Sequence, residues 1–556
     1  MTTYTMADTL VVHIERCSEN VFTRGVPCMG WAKLWVFPRG PIERSRPGEA
    51  WKIQKLQNAR PPPWAPLGDG RQRWWWVWCA RDEKRPVMAP KRKRAATATA
   101  GDGGDDSGGG GESGGGAEKT TTAAAAPSSA TSMPIIMCPY LDTINANALD
   151  FDFEKRCSIS LSDVHAYGCL VCGKYFAGRG KSTHAYAHSL ERAHHVFVHL
   201  TTGKVYCLPD SYEVTQRDVT LTRIRDVLKP QFDEAVVRAL ETEGPQWRRA
   251  LDGSEYLVGV TGLNNLNKHT DYVNAVLQSL SRVKPLRRAL LLTPNSEAEK
   301  PSLWERLSEI TKKVWNARNF KGHSSPHEFM QCVRARSKDA FNVDQSGDAA
   351  AFMRWLLNEL KKTPNNNVVE ECFQGQVEII DDVKGATSTS PFLMLSLDLP
   401  PAPLFQDVME KNIIPQVSLE HSLLKKFDGV TADPKSQRRF KITKLPQYLI
   451  VNYSRFTKNN FFTEKNPTIV TFPVKNLNLA DHVPIPESER ERGAKYNLVA
   501  NIVHDGTPAA GGYRAMVYHA PDGNWYETQV LNVVEVLPQQ VNLTETYVQI
   551  YERAES

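Results

Sequence analysis

Two cysteines and two histidines place the tightest constraint on how this chain folds. Two residues separate Cys169 from Cys172; His188 follows after fifteen more, and His194 after another five. A Cys-x2-Cys knuckle points two thiolates at one cation, and two imidazoles complete the donor set of a closed tetrahedral zinc site. We therefore expect one structural zinc ion held by Cys169, Cys172, His188 and His194. Spacing alone leaves His195 open as an alternative to His194. Five of the ten cysteines fall between 138 and 207. Ten are too few for a disulfide scaffold in 556 residues, and their clustering favours metal ligation in a reducing compartment.

The rest of the chain divides by composition. Residues 1–87 hold eight of the thirteen tryptophans, including "RWWWVW" at 73–78, and show no sustained helix or strand period. We expect them to be a gene-model extension ahead of a start at Met88. Residues 88–132 read as a tail. Its basic run Lys91, Arg92, Lys93, Arg94 fits either a nuclear localisation signal or a solvated basic tail, and its Ala/Gly/Ser-rich remainder cannot bury enough apolar surface to offset the entropy of ordering. A compact Cys/His-rich segment is expected over 133–225, a helical connector over 226–254 and a large mixed domain over 255–553. That domain reads as helices first (271–283, 302–316, 348–362) and strands afterwards. No apolar run approaches the ~20 residues of a membrane span. The formal charge is +6 overall but +10 within residues 1–94, which leaves the main body at −4. Direct nucleic-acid binding is not expected of such a body.

The stretch "NNLNKHTDYVNAVLQSL" at 264–280 opens the large domain. Val273, Val276, Leu277 and Leu280 recur on one helical face. A cysteine protease needs a thiol at the start of such a helix, where unsatisfied N–H groups and the dipole lower its pKa. Here the helix starts with Asp271, which reads as a cap for those N–H groups. His269 and His504 read as loop or core histidines.

Residues 138–215 resemble the UBP-type zinc finger found beside ubiquitin proteases. The family can hold further zinc ions at positions occupied here by Cys157, Ser160, Ala177 and His184, and by Cys138, Tyr140, Cys207 and Asp210. Both sets are degraded, and Cys138, Cys157 and Cys207 are expected as small buried hydrophobes. Arg179 matches an arginine the family uses to grip the ubiquitin tail, but Gly180 replaces a tyrosine and Tyr167 a tryptophan.

Residues 255–553 resemble the ubiquitin-specific protease family, through Gly262-Leu263-Asn264-Asn265-Leu266, Asp271-Tyr272-Val273-Asn274, Gln345 to Phe352, "LPQYLIVNYSRF" and Gly511-Gly512-Tyr513. The resemblance implies an α+β fold: the small zinc finger followed by a papain-like protease domain. Against the family pattern, Asp271 replaces the catalytic Cys after a one-residue insertion, and Gly512 replaces the catalytic His. The family's orienting acid should follow Trp525-Tyr526, and Gln529 stands near that place. Asn265 matches a position that stabilises the oxyanion. Cys332 and Cys372 are isolated, so the family's zinc ribbon is not expected. No catalytic residue is therefore assigned at Asp271, Gly512 or Gln529. The combination resembles an inactive branch of the family associated with the U4/U6.U5 tri-snRNP. That implies a nuclear, non-catalytic scaffold in pre-mRNA splicing, with spliceosomal tri-snRNP proteins as partners. The rival readings are a ubiquitin receptor and a deubiquitinase with residual activity.

Overall fold

The computed structural model describes residues 137–554, apart from 297, 299–300, 365, 383–384, 402–413, 434–435 and 459–462, together with strands 2–6, 10–16 and 32–38. The tryptophan run at 73–78 and the basic and Gly/Ala-rich tail of 88–132 lie outside the described residues. Thr2–Met6, Leu10–Arg16 and Ala32–Pro38 pair as an antiparallel meander. This corrects the expectation that residues 1–87 carry no strand pattern: "LVVHI" and "LWVF" are rich in β-branched and aromatic residues that suit a pleated strand.

The Cys/His-rich segment is built on a five-stranded antiparallel sheet. Its order is Tyr175–Ala177, Ala166–Cys169, Val196–His199, Val205–Cys207 and Tyr212–Glu213. The helix His184–Arg192 packs beside it. Leu170, Val196, Val198 and Val205 form the core under the sheet, joined by Leu221, Ile224 and Leu228 of the helix Val219–Leu228. The stretch expected as a helical connector is thus divided. One helix seals the small domain, a second spans Glu234–Thr242, and Trp247–Arg249 pairs with Glu255–Leu257 as a hairpin.

In the large domain the helices come first. Asp271–Leu280 is central, with every residue from Tyr272 to Leu280 buried. Around it lie Lys284–Leu292, Leu303–Val314, His327–Ser337 and Ala349–Leu360. Ser302 and Glu305 form a reciprocal capping box on Leu303–Val314, satisfying two N–H groups that the helix start leaves open. Beyond them a sheet runs in the order Leu395–Asp398, Tyr448–Ser454, Thr546–Arg553, Lys495–Asp505, Gly512–His519, Asn524–Gln529 and Asn532–Val536. All of these pairs are antiparallel except the first. Val273 and Val276 share one core with Ala500, Ile502, Ala515 and Val517, so the central helix lies against the strand Gly512–His519. That apposition positions the site.

A strip of acidic residues, Asp150 to Glu154, joins the small domain to the large one. Asp152 takes Lys313 at 2.6 Å and the Ser325 N–H at 3.2 Å. Asp150 pairs with Lys321, Glu154 with Gln331, and Lys155 with Glu328 at 3.0 Å. Glu328 also holds Arg306.

Candidate functional site

The turn after strand Ala166–Cys169 places Cys172 next to Cys169. The helix His184–Arg192 and the residues after its left-handed end at Ala193 carry His188 and His194 to the same point. The four ligand atoms lie within 4.8 Å of one another. Cys172 Sγ is 3.4 Å from His188 Nε2, Cys169 Sγ 3.5 Å from His194 Nδ1, and the two imidazole nitrogens are 3.0 Å apart. Zinc bonds of ~2.0–2.3 Å to nitrogen and sulfur require such separations, so the donor set fits zinc in type and in spacing. Phe176 stacks on His188 with ring centroids 4.2 Å apart and holds its orientation. His195 turns away: its Nδ1 meets the Leu208 carbonyl at 2.8 Å, and its ring packs on Tyr140. Among the described residues no other Cys/His/Asp/Glu group is close enough to hold a metal. Cys138, Cys157 and Cys207 are buried. The Arg179 guanidinium lies 4.2 Å over the Tyr206 ring and donates to the Ser211 carbonyl.

The second constellation lies where the central helix meets the strand Gly512–His519. Asp271 is the first helical residue, and Thr270, the N-cap, makes no side-chain cap bond. Asp271 Oδ1 accepts the Tyr272 N–H at 2.9 Å, while Oδ2 reaches across to the Tyr513 N–H at 2.7 Å. The capping role expected for Asp271 is therefore half of its function; the other half ties helix to strand. Burial raises its pKa above the ordinary value, against the lowering effect of the two N–H donors. Gly512 faces it: a Cβ added there would stand 3.0 Å from Asp271 Oδ2. Gln529 is exposed at the end of its strand.

The loop before Asp271 turns through Asn267 and Lys268, both in the left-handed region at φ 50° and 65°. Asn265 is drawn into that loop, its Oδ1 accepting the Thr270 N–H at 2.8 Å. His269 meets Ser346 at the surface. His504 is buried between Phe456 and Tyr513, and burial, followed by the Lys465 charge, lowers its pKa to about 4. It is a neutral core histidine. Asp348 caps the helix Ala349–Leu360 through the Ala351 N–H at 2.7 Å and takes the Tyr547 and Tyr513 hydroxyls. Its role as a hub for two buried tyrosines was not evident from sequence, because residues 348, 513 and 547 lie far apart in the chain. The described thiols of the large domain are poor nucleophiles: burial pushes Cys372 up to about 12 and also raises Cys332.

Comparison with known proteins agrees with this architecture. Residues 156–219 match the "Zn-finger in ubiquitin-hydrolases and other protein" family, and residues 261–551 match "Ubiquitin carboxyl-terminal hydrolase". The chain is 45% identical over 458 residues to ubiquitin carboxyl-terminal hydrolase 39 of Homo sapiens, covering 75% of this chain and 80% of that protein. It is 39% identical to the probable mRNA-splicing protein ubp10 of Schizosaccharomyces pombe, over 75% of this chain and 88% of that protein. It is 30% identical to the pre-mRNA-splicing factor SAD1 of Saccharomyces cerevisiae, over 75% and 93%. The crystal structure of an essential yeast splicing factor superposes with a TM-score of 0.65 at 30% identity, covering 75% of this chain and all of that one. A zinc-finger domain followed by a protease-like α+β domain, with relatives matched over most of their length, leads to one assignment: the chain belongs to the ubiquitin carboxyl-terminal hydrolase family.

Proposed function

We propose that this protein is a nuclear, non-catalytic scaffold of pre-mRNA splicing, acting in assembly or stabilisation of the U4/U6.U5 tri-snRNP. Two relatives matched over most of their length are named as splicing proteins, which supports the process. The observation that carries the non-catalytic reading is the Asp271 carboxylate. It is bonded to the Tyr513 backbone beside Gly512, and the resemblance to the protease family aligns these two positions with the thiol and the general base. A binding module needs shape and surface, not a triad.

In this reading Cys169, Cys172, His188 and His194 hold one structural zinc ion that stabilises the small domain. The strip from Asp150 to Lys155 then fixes the zinc-bearing domain on the large one, so that the two present a single surface to spliceosomal proteins. The ubiquitin-receptor alternative is disfavoured by Arg179, whose guanidinium is already taken up by Tyr206 and Ser211.

Affinity purification of the tagged full chain from nuclear extract tests the proposal. U4, U5 and U6 RNAs and their proteins are expected to co-purify and to be lost when the zinc ligands are replaced. Recovery of ubiquitin conjugates without those RNAs would overturn it.

A further inference from the structure

The end of the central helix remote from Asp271 borders a pocket that the scaffold reading does not use. Its walls include Leu240, Arg282, Lys284, Arg287, Trp315 and Tyr518, and it encloses about 430 Å³, part of it open to solvent. Arg282 and Arg287 are 5% and 7% exposed, and their guanidinium carbons lie 5.1 and 4.5 Å from the centroid of the Trp315 ring.

Of the three cations around the pocket, Arg282 alone lacks a carboxylate partner among the described residues. Arg287 pairs with Glu241 at 2.6 Å, Lys284 with Glu552 at 2.9 Å, and His519 meets Asp522 at 3.0 Å. Arg282 has only neutral partners among the described residues: the Gly259 carbonyl, and Ser281 Oγ at 2.7 Å from Nη2 and 3.2 Å from Nε. Burial, then the charge of Arg287, draws its pKa down to about 9, so it remains charged at neutral pH. A buried charge without a counter-ion is costly. Trp315 adds a second unmatched feature: its indole N–H is buried and has no acceptor among the described residues. Buried donors are ordinarily paired.

We propose that this pocket receives the carboxylate of a glutamate or aspartate side chain from an acidic peptide segment of a partner protein. A carboxylate supplies the counter-ion that Arg282 lacks, and its two oxygens suit a guanidinium and an indole N–H together. The apolar wall of Leu240, Val499 and Pro521 matches the methylene stem of such a side chain. A phosphomonoester would bring about −1.5 to −2 charges, more than one unpaired arginine offsets.

Calorimetric titration of the purified full chain with an acetyl-hexaglutamate amide tests the assignment, with hexaglutamine amide, sodium acetate and inorganic phosphate as comparisons. Saturable binding of hexaglutamate, weakened by salt and absent for hexaglutamine, is expected. Arg282→Gln should lower the affinity at least tenfold. Trp315→Phe keeps the aromatic ring, removes the N–H and should lower the affinity several-fold; it decides the matter alone if Arg282→Gln fails to fold. No binding of hexaglutamate, unchanged affinity in Trp315→Phe, or binding of phosphate or acetate as tight as that of hexaglutamate would overturn the proposal.

Discussion

Asp271 Oδ2 accepts the backbone N–H of Tyr513 at 2.7 Å, across 242 residues of sequence. In a cysteine protease this gap between helix start and strand must stay open for a peptide carbonyl, a thiolate and an imidazole. Here one carboxylate bridges it. Asp271 lines only a small pocket with Leu263, Asn274, Tyr513 and Thr528. Asp271 is part of the packing between helix and sheet.

The clasp leads to a stability prediction. Asp271→Ala removes the acceptor of two backbone N–H groups, one of them on the partly enclosed face between helix and strand. A loss of about 1–3 kcal/mol is expected from leaving such donors unmatched. The pH dependence follows from the raised pKa. A carboxyl whose folded pKa lies above its unfolded value of 3.8 contributes stability that is fully present below 3.8 and declines as pH rises through the folded value. The stability difference between wild type and Asp271→Asn should therefore favour wild type most at the acid end and shrink toward neutral pH. Urea titrations of both proteins over that range would check it; a difference that grows with pH would show that the two N–H donors outweigh burial at Asp271.

The zinc set is the part of the site most legible in sequence, because a Cys-x2-Cys knuckle encodes its own geometry within four residues. The choice between His194 and His195 was not legible. It depends on the left-handed residue Ala193, which ends the helix and turns one imidazole toward the cysteines and the next toward Leu208. The central helix was readable from the spacing of its valines and leucines, although its end was placed three residues late. The hairpin at Trp247–Arg249 was read as helix, since an exposed strand this short carries little periodic signal. The acidic strip was invisible for another reason: Asp150 to Lys155 find their partners some 160 to 180 residues away, and charge pairing at that range leaves no local pattern.

That strip supports a prediction of its own. Burial alone would raise the pKa of Glu328, but Lys155, then Arg306 and Lys313, outweigh it and hold the carboxyl below its ordinary 4.5. A depressed carboxyl contributes stability that is present above 4.5 and is lost as pH falls through the folded value. Glu328→Gln takes the carboxylate from Lys155 and one of two carboxylates from Arg306, which keeps Glu309, and a loss of about 1–3 kcal/mol is expected. Limited proteolysis at neutral pH should then cut between the two domains, where wild type resists. Equal resistance of the two proteins would show that the strip does not hold them together.

Metal removal should act on the small domain first. Elemental analysis is expected to return one zinc per chain, and X-ray absorption two sulfur ligands at ~2.3 Å. Cys172→Ser, or a strong chelator, should unfold the segment around His188, because ligand assembly and folding are coupled in such sites. The sheet of the large domain should persist, its core being built from Val273, Ala500, Ile502 and Ala515. Two tightly bound zinc ions would refute the count, and none would refute the site.

Restoring catalysis should take more than restoring a thiol. The wild-type protein is expected not to cleave a ubiquitin fluorogenic substrate, and Asp271→Cys alone not to rescue it. Gly512 offers no base, and the nearby imidazoles are engaged elsewhere: His269 meets Ser346, and His504 is packed between Phe456 and Tyr513. Members of a catalytic triad act as a unit, and losing one can cost nearly as much as losing all, on the order of 10⁶ in rate. Asp271→Cys with Gly512→His returns two of the three groups but leaves Gln529 in place of an orienting acid. It also leaves the 265–270 loop unchanged, with Asn265 bonded to Thr270 and Asn267 and Lys268 in the left-handed region. Displacements of ~1 Å are enough to cost a hundredfold in rate, so the double variant should show trace activity at most. Gly512→His alone should destabilise the fold, because its Cβ would press on Asp271 Oδ2 at 3.0 Å, and Asp271→Cys in the same chain should relieve part of that loss. Cleavage by the wild-type protein that an alkylating agent abolishes would end the non-catalytic reading.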